Sequence, residues 1–210
     1  MSGQLTTNYF EAVDITSVTK TRITETLSNK QFRRSITGQY YRLGLKTFPM
    51  KRTDFDALLG FLKKQNGRFD NFDLTPPIIS VAQGTLSGNV ISGSNTGATT
   101  GTSQADAGQT TFNLQNKADG SPATGTLLAG TYIKFSNHDK VYCVTDTVTF
   151  DGSSVISVNI FPNLVSALPN GTDLVYTNVP FKVILETDEL VTKITNDGFH
   201  NLEFSVREDI

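Results

Sequence analysis

Apolar and polar residues alternate most clearly between positions 33 and 50. Tyr41, Leu43 and Leu45 are each separated by one intervening residue, and the run stops at Pro49. A period of two places such side chains on one face of a β-strand. The pattern therefore predicts a long strand that ends at the proline.

The period then changes from two to that of a helix. Apolar side chains recur at spacings of three and four residues, which line one helical face: Phe55, Leu58, Leu59 and Leu62. We predict a helix near residues 53–66. Thr53 or Asp54 is expected to cap its first turn, and Gly67 is expected to end it in a left-handed conformation.

Two successive prolines, Pro76 and Pro77, mark a boundary, because neither can donate a hydrogen bond to a central strand. Residues 78–178 are rich in Gly, Ser, Thr and Asn. Short apolar runs within this segment predict strands at 132–135, 141–144, 155–158 and 174–176.

The last thirty residues return to longer alternating runs. These predict strands at 179–185, 190–194 and 199–206, with a tight turn at Asn196, Asp197 and Gly198. We therefore predict a mainly β fold with one helix. A split β-sandwich or barrel domain comprises residues 1–77 plus 179–210, and residues 78–178 form an inserted small all-β domain.

Charge and cysteine content narrow the range of partners. With a formal net charge of −2, the whole chain has no electrostatic reason to recognise nucleic acid. The single cysteine, Cys143, cannot form an internal disulfide, and its apolar surroundings favour a buried structural thiol. The first residues lack an apolar core, so neither a signal peptide nor a membrane span is predicted there.

Residues suited to catalysis or metal binding are sparse. His138 and His200 stand in or beside predicted turns, without a neighbouring carboxylate at strand or helix spacing. Glu186, Asp188 and Glu189 could bind a hard cation, but solvated turn carboxylates are far more common. We expect no catalytic residue, no cofactor site and no metal site, and hence no enzymatic activity.

Two sets of residues are candidates for binding partners. Basic residues gather around the long strand and the start of the helix, where they suit contact with acidic partner subunits: Arg33, Arg34, Arg42, Lys46, Lys51 and Arg52. No suitably spaced aromatic residues accompany them, as a nucleic-acid surface would require. In the inserted segment, Tyr132 and Tyr142 are candidate glycan contacts, although aromatic residues at period two usually belong to a core.

Three consecutive segments resemble the belt-domain region of tailed-phage distal tail proteins. They are residues 35–43, the predicted helix, and the run Gly67-Arg68-Phe69-Asp70-Asn71-Phe72-Asp73. The split domain with a β insertion is also similar. The resemblance implies a ring, commonly a hexamer, that joins the tail tube to the hub or baseplate at the virion's tail tip. Such a protein would be assembled in the host bacterial cytoplasm.

Two other functions remain open. The chain could be a virion adhesin whose inserted domain binds a host-surface glycan through Tyr132 or Tyr142. It could also be another tail ring component, such as a minor tail or tube-initiator protein, since related ring proteins share the same β core. A glycan-degrading enzyme would need paired carboxylates facing a cleft, and the spacing reveals no such pair.

Overall fold

A computed structural model describes residues 3–5, 9–77, 80–93, 103–117, 123–152, 155–194 and 198–210. Strands make up 53% of it, and the described part contains one helix, which confirms the predicted mainly β fold. Its sheets include one that is nearly closed and barrel-like. The turn predicted at Asn196, Asp197 and Gly198 lies largely outside the described residues.

The elements follow one another in a simple order. The first part of the chain contains β1 (Gln4–Leu5), β2 (Phe10–Glu25), β3 (Gln31–Thr47), β4 (Met50–Lys51), α1 (Arg52–Lys64) and β5 (Phe72–Leu74). The middle contains β6 (Val90–Ser92), β7 (Ser103–Ala105), β8 (Thr111–Asn116), β9 (Thr124–Leu127), β10 (Tyr132–Phe135), β11 (Val141–Val144), β12 (Val148–Asp151), β13 (Ile156–Phe161), β14 (Leu168–Pro169) and β15 (Leu174–Val175). The last part contains β16 (Phe181–Leu185), β17 (Thr192–Ile194) and β18 (Phe199–Glu208).

The chain divides into two compact units. The split unit comprises Met1–Asp73 together with Lys182–Ile210, and the inserted unit comprises Leu74–Phe181. Each unit buries its own apolar side chains.

The split unit is organised around one sheet with the strand order β1-β5-β16-β18-β3-β2, in which β4 and β17 also pair with β18. Leu43 of β3 lies opposite Val206 of β18, which in turn lies opposite Leu185 of β16, and all three side chains are buried. The long strand predicted before Pro49 is therefore confirmed as β3. Thr47 ends it with a buried hydroxyl that accepts a hydrogen bond from the backbone N–H of Leu202 at 2.9 Å.

The predicted helix is confirmed, but its predicted N-terminal cap is wrong. Its N-cap is Lys51, which makes no side-chain capping hydrogen bond, so the helix begins before Thr53. At the other end, Asn66 takes the first left-handed position and Gly67 follows it, also left-handed. Within the described ranges, no helix has the length and apolar character needed to cross a membrane.

The apolar face of α1 packs against the strands of the split unit. Phe55 contacts the ring of His200 at a centroid distance of 5.0 Å, and Phe61 meets Phe72 edge-on at 5.5 Å. Phe55, Leu58 and Leu62 are all buried, as the helical spacing predicted.

The inserted unit contains a sheet with the strand order β15-β10-β11-β13-β8-β6 and two smaller strand pairs, β12-β9 and β14-β7. Aromatic side chains occupy its core. Phe135 meets Phe112 edge-on at 4.9 Å and Tyr142 at 5.8 Å, and all three are buried. The predicted strand at 155–158 exists as β13, which is shifted toward the C-terminus.

Candidate functional site: an exposed arm and an acidic groove

Strands β2 and β3 form a long antiparallel ribbon whose outer half is exposed. Their pairing runs from Phe10 opposite Thr47 out to Glu25 opposite Gln31. Every side chain from residue 19 to residue 36 is exposed, and we call this segment the arm. At about 3.3 Å per residue, the arm is roughly 20 Å long.

The two faces of the arm differ in chemistry, because directly paired residues point to the same side of a ribbon. One face, which we call the basic face, carries three cations and two exposed apolar side chains: Lys20, Arg22, Arg34, Phe32 and Ile36. On the opposite face, Gln31 donates to Glu25 at 2.9 Å and Arg33 donates to Gln31 at 3.1 Å. The arm's acidic residue is thus on the face away from the three cations.

The tip of the arm is a tight turn. Asn29 adopts a left-handed conformation with φ of 59°, and the backbone N–H groups of Thr26 and Asn29 donate to Lys30 and Thr26. Leu27 stands at this tip with its side chain fully exposed. An exposed leucine at the end of a protruding ribbon is typical of a contact surface rather than of a core.

Five of the six basic residues considered for contact with a partner, all except Lys51, were predicted to form the interface, and they do not converge on one site. Arg42 pairs with Glu186 at 2.5 Å, and Lys46 pairs with Glu11 at 2.9 Å on the outer side of the sheet. The Glu11 carboxylate, through its hydrogen bond and its charge, raises the pKa of Lys46.

The other three basic residues are more exposed. Arg33 and Arg34 lie on opposite faces of the arm, and Arg52 in the first turn of α1 pairs loosely with Asp56 at 3.4 Å. Such exposed pairs contribute little stability, so these side chains are available for contact with a partner.

An open groove of about 550 Å³ lies on the split unit, between β18, the inner end of β3 and the segment that follows β16. Three carboxylates line it, those of Glu186, Glu189 and Glu203. Val191 adds an apolar side chain that is 66% exposed. We call this surface the acidic groove.

The acidic residues at 186–189 do not come together around a common point. Glu186 is paired with Arg42, whereas Asp188 accepts a hydrogen bond from the backbone N–H of Arg68 at 3.0 Å. Glu189 faces the groove. Among the described residues, no three acidic, histidine or cysteine side chains are arranged to hold a metal ion.

The two candidate glycan contacts point to opposite faces of their sheet. Tyr132 is paired with Cys143 and Ile133 with Tyr142, so the two tyrosine rings cannot share one surface. Tyr142 is fully buried, whereas Tyr132 is partly exposed and packs against Phe181 within the inserted unit at 5.8 Å. Burial raises the pKa of Tyr132.

The single cysteine is only partly buried, and burial raises the pKa of its thiol. Because the thiolate is the reactive form, a raised pKa disfavours nucleophilic chemistry at Cys143.

His138 forms part of a small polar cluster at the edge of the inserted unit's core. Its Nε2 lies 2.8 Å from the Tyr142 hydroxyl, which accepts a hydrogen bond from the backbone N–H of Val165, and its Nδ1 lies 2.7 Å from Asn137 Oδ1. A neutral imidazole protonated on Nδ1 satisfies all of these contacts. Burial, and then the charge of Lys134, lower the pKa of His138.

The lowered pKa predicts that acid destabilises the inserted unit. The unfolded chain binds a proton at His138 near pH 6.5, whereas the folded unit binds it only at lower pH. Stability contributed by the neutral ring is therefore complete above pH 6.5 and is lost as the pH falls toward the folded-state pKa. Thermal unfolding at pH 7.5 and 5.5 measures this effect, and His138→Gln, which cannot titrate, is expected to reduce the difference. An unchanged pH dependence in this variant would contradict the prediction.

Comparison with known proteins bears on the inserted unit. No curated protein matches the chain. Residues 88–179 match the family model for the B domain of distal tail protein pb9. This match falls in the inserted segment, whereas the resemblance found in the sequence lies in residues 35–73, so two separate parts of the chain point to the same family. Residues 88–179 thus resemble the B domain of a phage distal tail protein, and this match is consistent with a structural role in the phage tail.

Proposed function

We propose that this chain is a non-enzymatic subunit of a ring, most simply a hexamer, that joins the tail tube to the hub or baseplate at the phage tail tip. Copies would assemble in the host cytoplasm before the tail is completed. The family match supports a place in the tail, and the resemblance of residues 35–73 to the belt region supports the ring.

The observation that carries the proposal is the exposure of the arm. An isolated two-stranded hairpin is marginally stable at best in water, because it has no third strand and no buried apolar face. Residues 19–36 are in this situation, since all their side chains are exposed while Leu27, Phe32 and Ile36 remain apolar. A neighbouring subunit would cover these side chains and hold the ribbon in one conformation.

The split unit suits this role, whereas the glycan-binding alternative lacks comparable support. The split unit carries charged side chains on the outer face of its sheet, together with the arm and the acidic groove. Of the two tyrosines considered for glycan binding, Tyr142 is buried in the core and offers no surface to a sugar.

The test is the oligomeric state of the purified full chain, alone and with the tail tube protein of the same phage. Native mass spectrometry and negative-stain imaging are expected to show closed rings that bind the end of the tube. A chain that remained monomeric at high concentration and did not bind the tube protein would overturn the proposal.

A variant with a shortened arm tests whether the arm holds the copies together. Replacing residues 21–35 by Asn-Gly joins Lys20 to Ile36, which already lie opposite one another, through a two-residue hairpin turn. Because no side chain of the deleted segment is buried, the variant is expected to keep the fold and thermal stability of the parent but to remain monomeric. Rings formed by this variant would show that surfaces other than the arm hold the copies together.

A further inference from the structure

We propose that the basic face of the arm docks in the acidic groove of the next copy, so that the ring is closed by repeated head-to-tail contacts. This inference rests on the proposed ring and adds the two surfaces that meet in it. The occupant of the groove is a second copy of this chain, and the argument depends on charge, exposure and position.

The basic face contains an unfavourable arrangement in the isolated chain. Arg22 and Arg34 lie directly opposite each other in the ribbon, and like charges in this position are destabilising. Among the described residues, neither guanidinium takes part in an ion pair or hydrogen bond. Lys20 adds a third positive charge on the same face. An anionic surface laid on this face would relieve the repulsion.

The acidic groove provides the matching surface. Glu189 makes no ion pair within the described part of the chain. Glu203 lies opposite Lys46 and its charge acts on that lysine, but the Lys46 ammonium is ion-paired with Glu11 at 2.9 Å. The exposed side chain of Val191 lies among these carboxylates. The groove thus presents three carboxylates and a single lysine next to an apolar side chain, and the basic face presents unpaired positive charge next to Phe32 and Ile36.

A single copy cannot bring its own two surfaces together. Ile36 at the inner end of the arm and Lys46 at the groove lie ten residues apart on the continuous strand β3, which is about 33 Å at 3.3 Å per residue. The arm extends from Ile36 in the direction away from Lys46. Each copy therefore offers its arm to one neighbour and its groove to another, and two different matching patches are what a closed ring of identical subunits requires.

Charge reversal tests the pairing. The arm variant Arg22→Glu/Arg34→Glu turns the basic face acidic. It keeps a like-charged pair within the ribbon, so the repulsion between the two positions is the same as in the parent chain. The groove variant Glu189→Lys/Glu203→Lys makes the opposite change. Each variant is expected to raise the protein concentration at which rings form by at least about 100-fold, as measured by native mass spectrometry. Arg33→Glu, on the other face of the arm, is the control and is expected to leave rings intact.

Mixing the two variants distinguishes a head-to-tail contact from other arrangements. In a 1:1 mixture, the normal arm of the groove variant meets the normal groove of the arm variant, and the acidic arm of the arm variant meets the basic groove of the groove variant. Every junction between alternating copies is therefore complementary, and the mixture is expected to form rings although neither variant does so alone. A single chain carrying both reversals restores complementary charge at every junction and is expected to form rings again.

The remaining outcomes overturn one proposal or the other. If the arm variant forms rings as readily as the parent, or if Arg33→Glu is equally harmful, the docking is wrong while the ring stands. If the arm variant forms rings but no longer binds the tube protein, the basic face contacts the tube and the docking is again wrong. If the parent chain forms no ring even with tube protein present, the proposed function itself fails.

Discussion

Replacing Phe135 by alanine is expected to destabilise the inserted unit by about 3–5 kcal/mol, the usual cost of removing a buried phenylalanine ring. Phe135 is fully buried and contacts Phe112, Tyr142 and His138, so its loss removes the shared partner of three rings. Because a domain's whole stability is about 5–15 kcal/mol, the change removes a large fraction of the stability of the unit.

Hydrogen–deuterium exchange resolved by peptide is the appropriate measurement, since it reports on each unit separately. Faster exchange is expected throughout residues 103–152, with little change in β3 and β18, whose side chains pack in the other unit's core. Phe69→Ala is the matched control, because the same ring there is 84% exposed and its loss is expected to cost less than about 0.5 kcal/mol. Equal effects of the two variants would contradict this account of the core.

Gly125→Ala is expected to lower the stability of the inserted unit about as much as Phe135→Ala, although it removes no side-chain contact. Gly125 of β9 has a φ of 108°, which costs an L-residue about 1–3 kcal/mol, and an added Cβ would collide with the backbone carbonyl of Thr85. The segment containing Thr85 cannot easily retreat, because the backbone N–H groups of Thr85 and Leu86 both donate to the carbonyl oxygen of Thr126. Overpacking of this kind costs a further 1–3 kcal/mol or so.

The control for this variant is Gly108→Ala, which separates backbone strain from collision. Gly108 has a φ of 92°, but nothing lies within 4 Å of the position that its Cβ would occupy. Chemical denaturation of the two variants is expected to show a cost of about 1–3 kcal/mol at Gly108 and of about 2–6 kcal/mol at Gly125. If Gly125→Ala were the milder change, the close approach of the two strands would not exist in solution.

The sequence predicted those elements that bury one face. Strand β3 and helix α1 were recognised because Tyr41, Leu43 and Leu45 repeat at period two, and Phe55, Leu58 and Leu62 at helical spacing, as burial requires. The N-cap of α1 was mispredicted, because Thr53 and Asp54 look like caps while the N-cap is Lys51, two or three residues earlier. Local preference for a capping residue was outweighed by the pairing of Met50 and Lys51 with β18.

Strand β2, half of the candidate interaction surface, was not predicted. Its register against β3 shifts between Phe10 and Ala12, where one extra residue in β2 breaks the alternation that identifies a strand, and shifts again between Val18 and Lys20. Beyond Thr19 both faces are exposed, so no hydrophobic period exists there at all. The remaining signal is the richness in threonine, valine and isoleucine, with a turn-forming asparagine at Asn29, which together favour a hairpin.

The acidic groove could not have been predicted from spacing either. Glu203 and Glu186 are seventeen positions apart and belong to different strands or their ends, so they meet only through the pairing of β16 with β18. Tyr132 and Tyr142 illustrate the reverse problem, because two aromatic residues that look equivalent in sequence occupy opposite faces of one sheet.

The register shift between Val18 and Lys20 lies where the arm leaves the body of the split unit. Between these two pairs β3 has three residues, 37–39, where β2 has one. Extra residues of this kind bend a ribbon and increase its twist, so this bulge sets the direction in which the arm points. In a closed ring, that direction fixes the rotation from each copy to the next, and the rotation fixes how many copies complete the circle. The circumference of the proposed ring would then be encoded in this bulge rather than in the residues that touch.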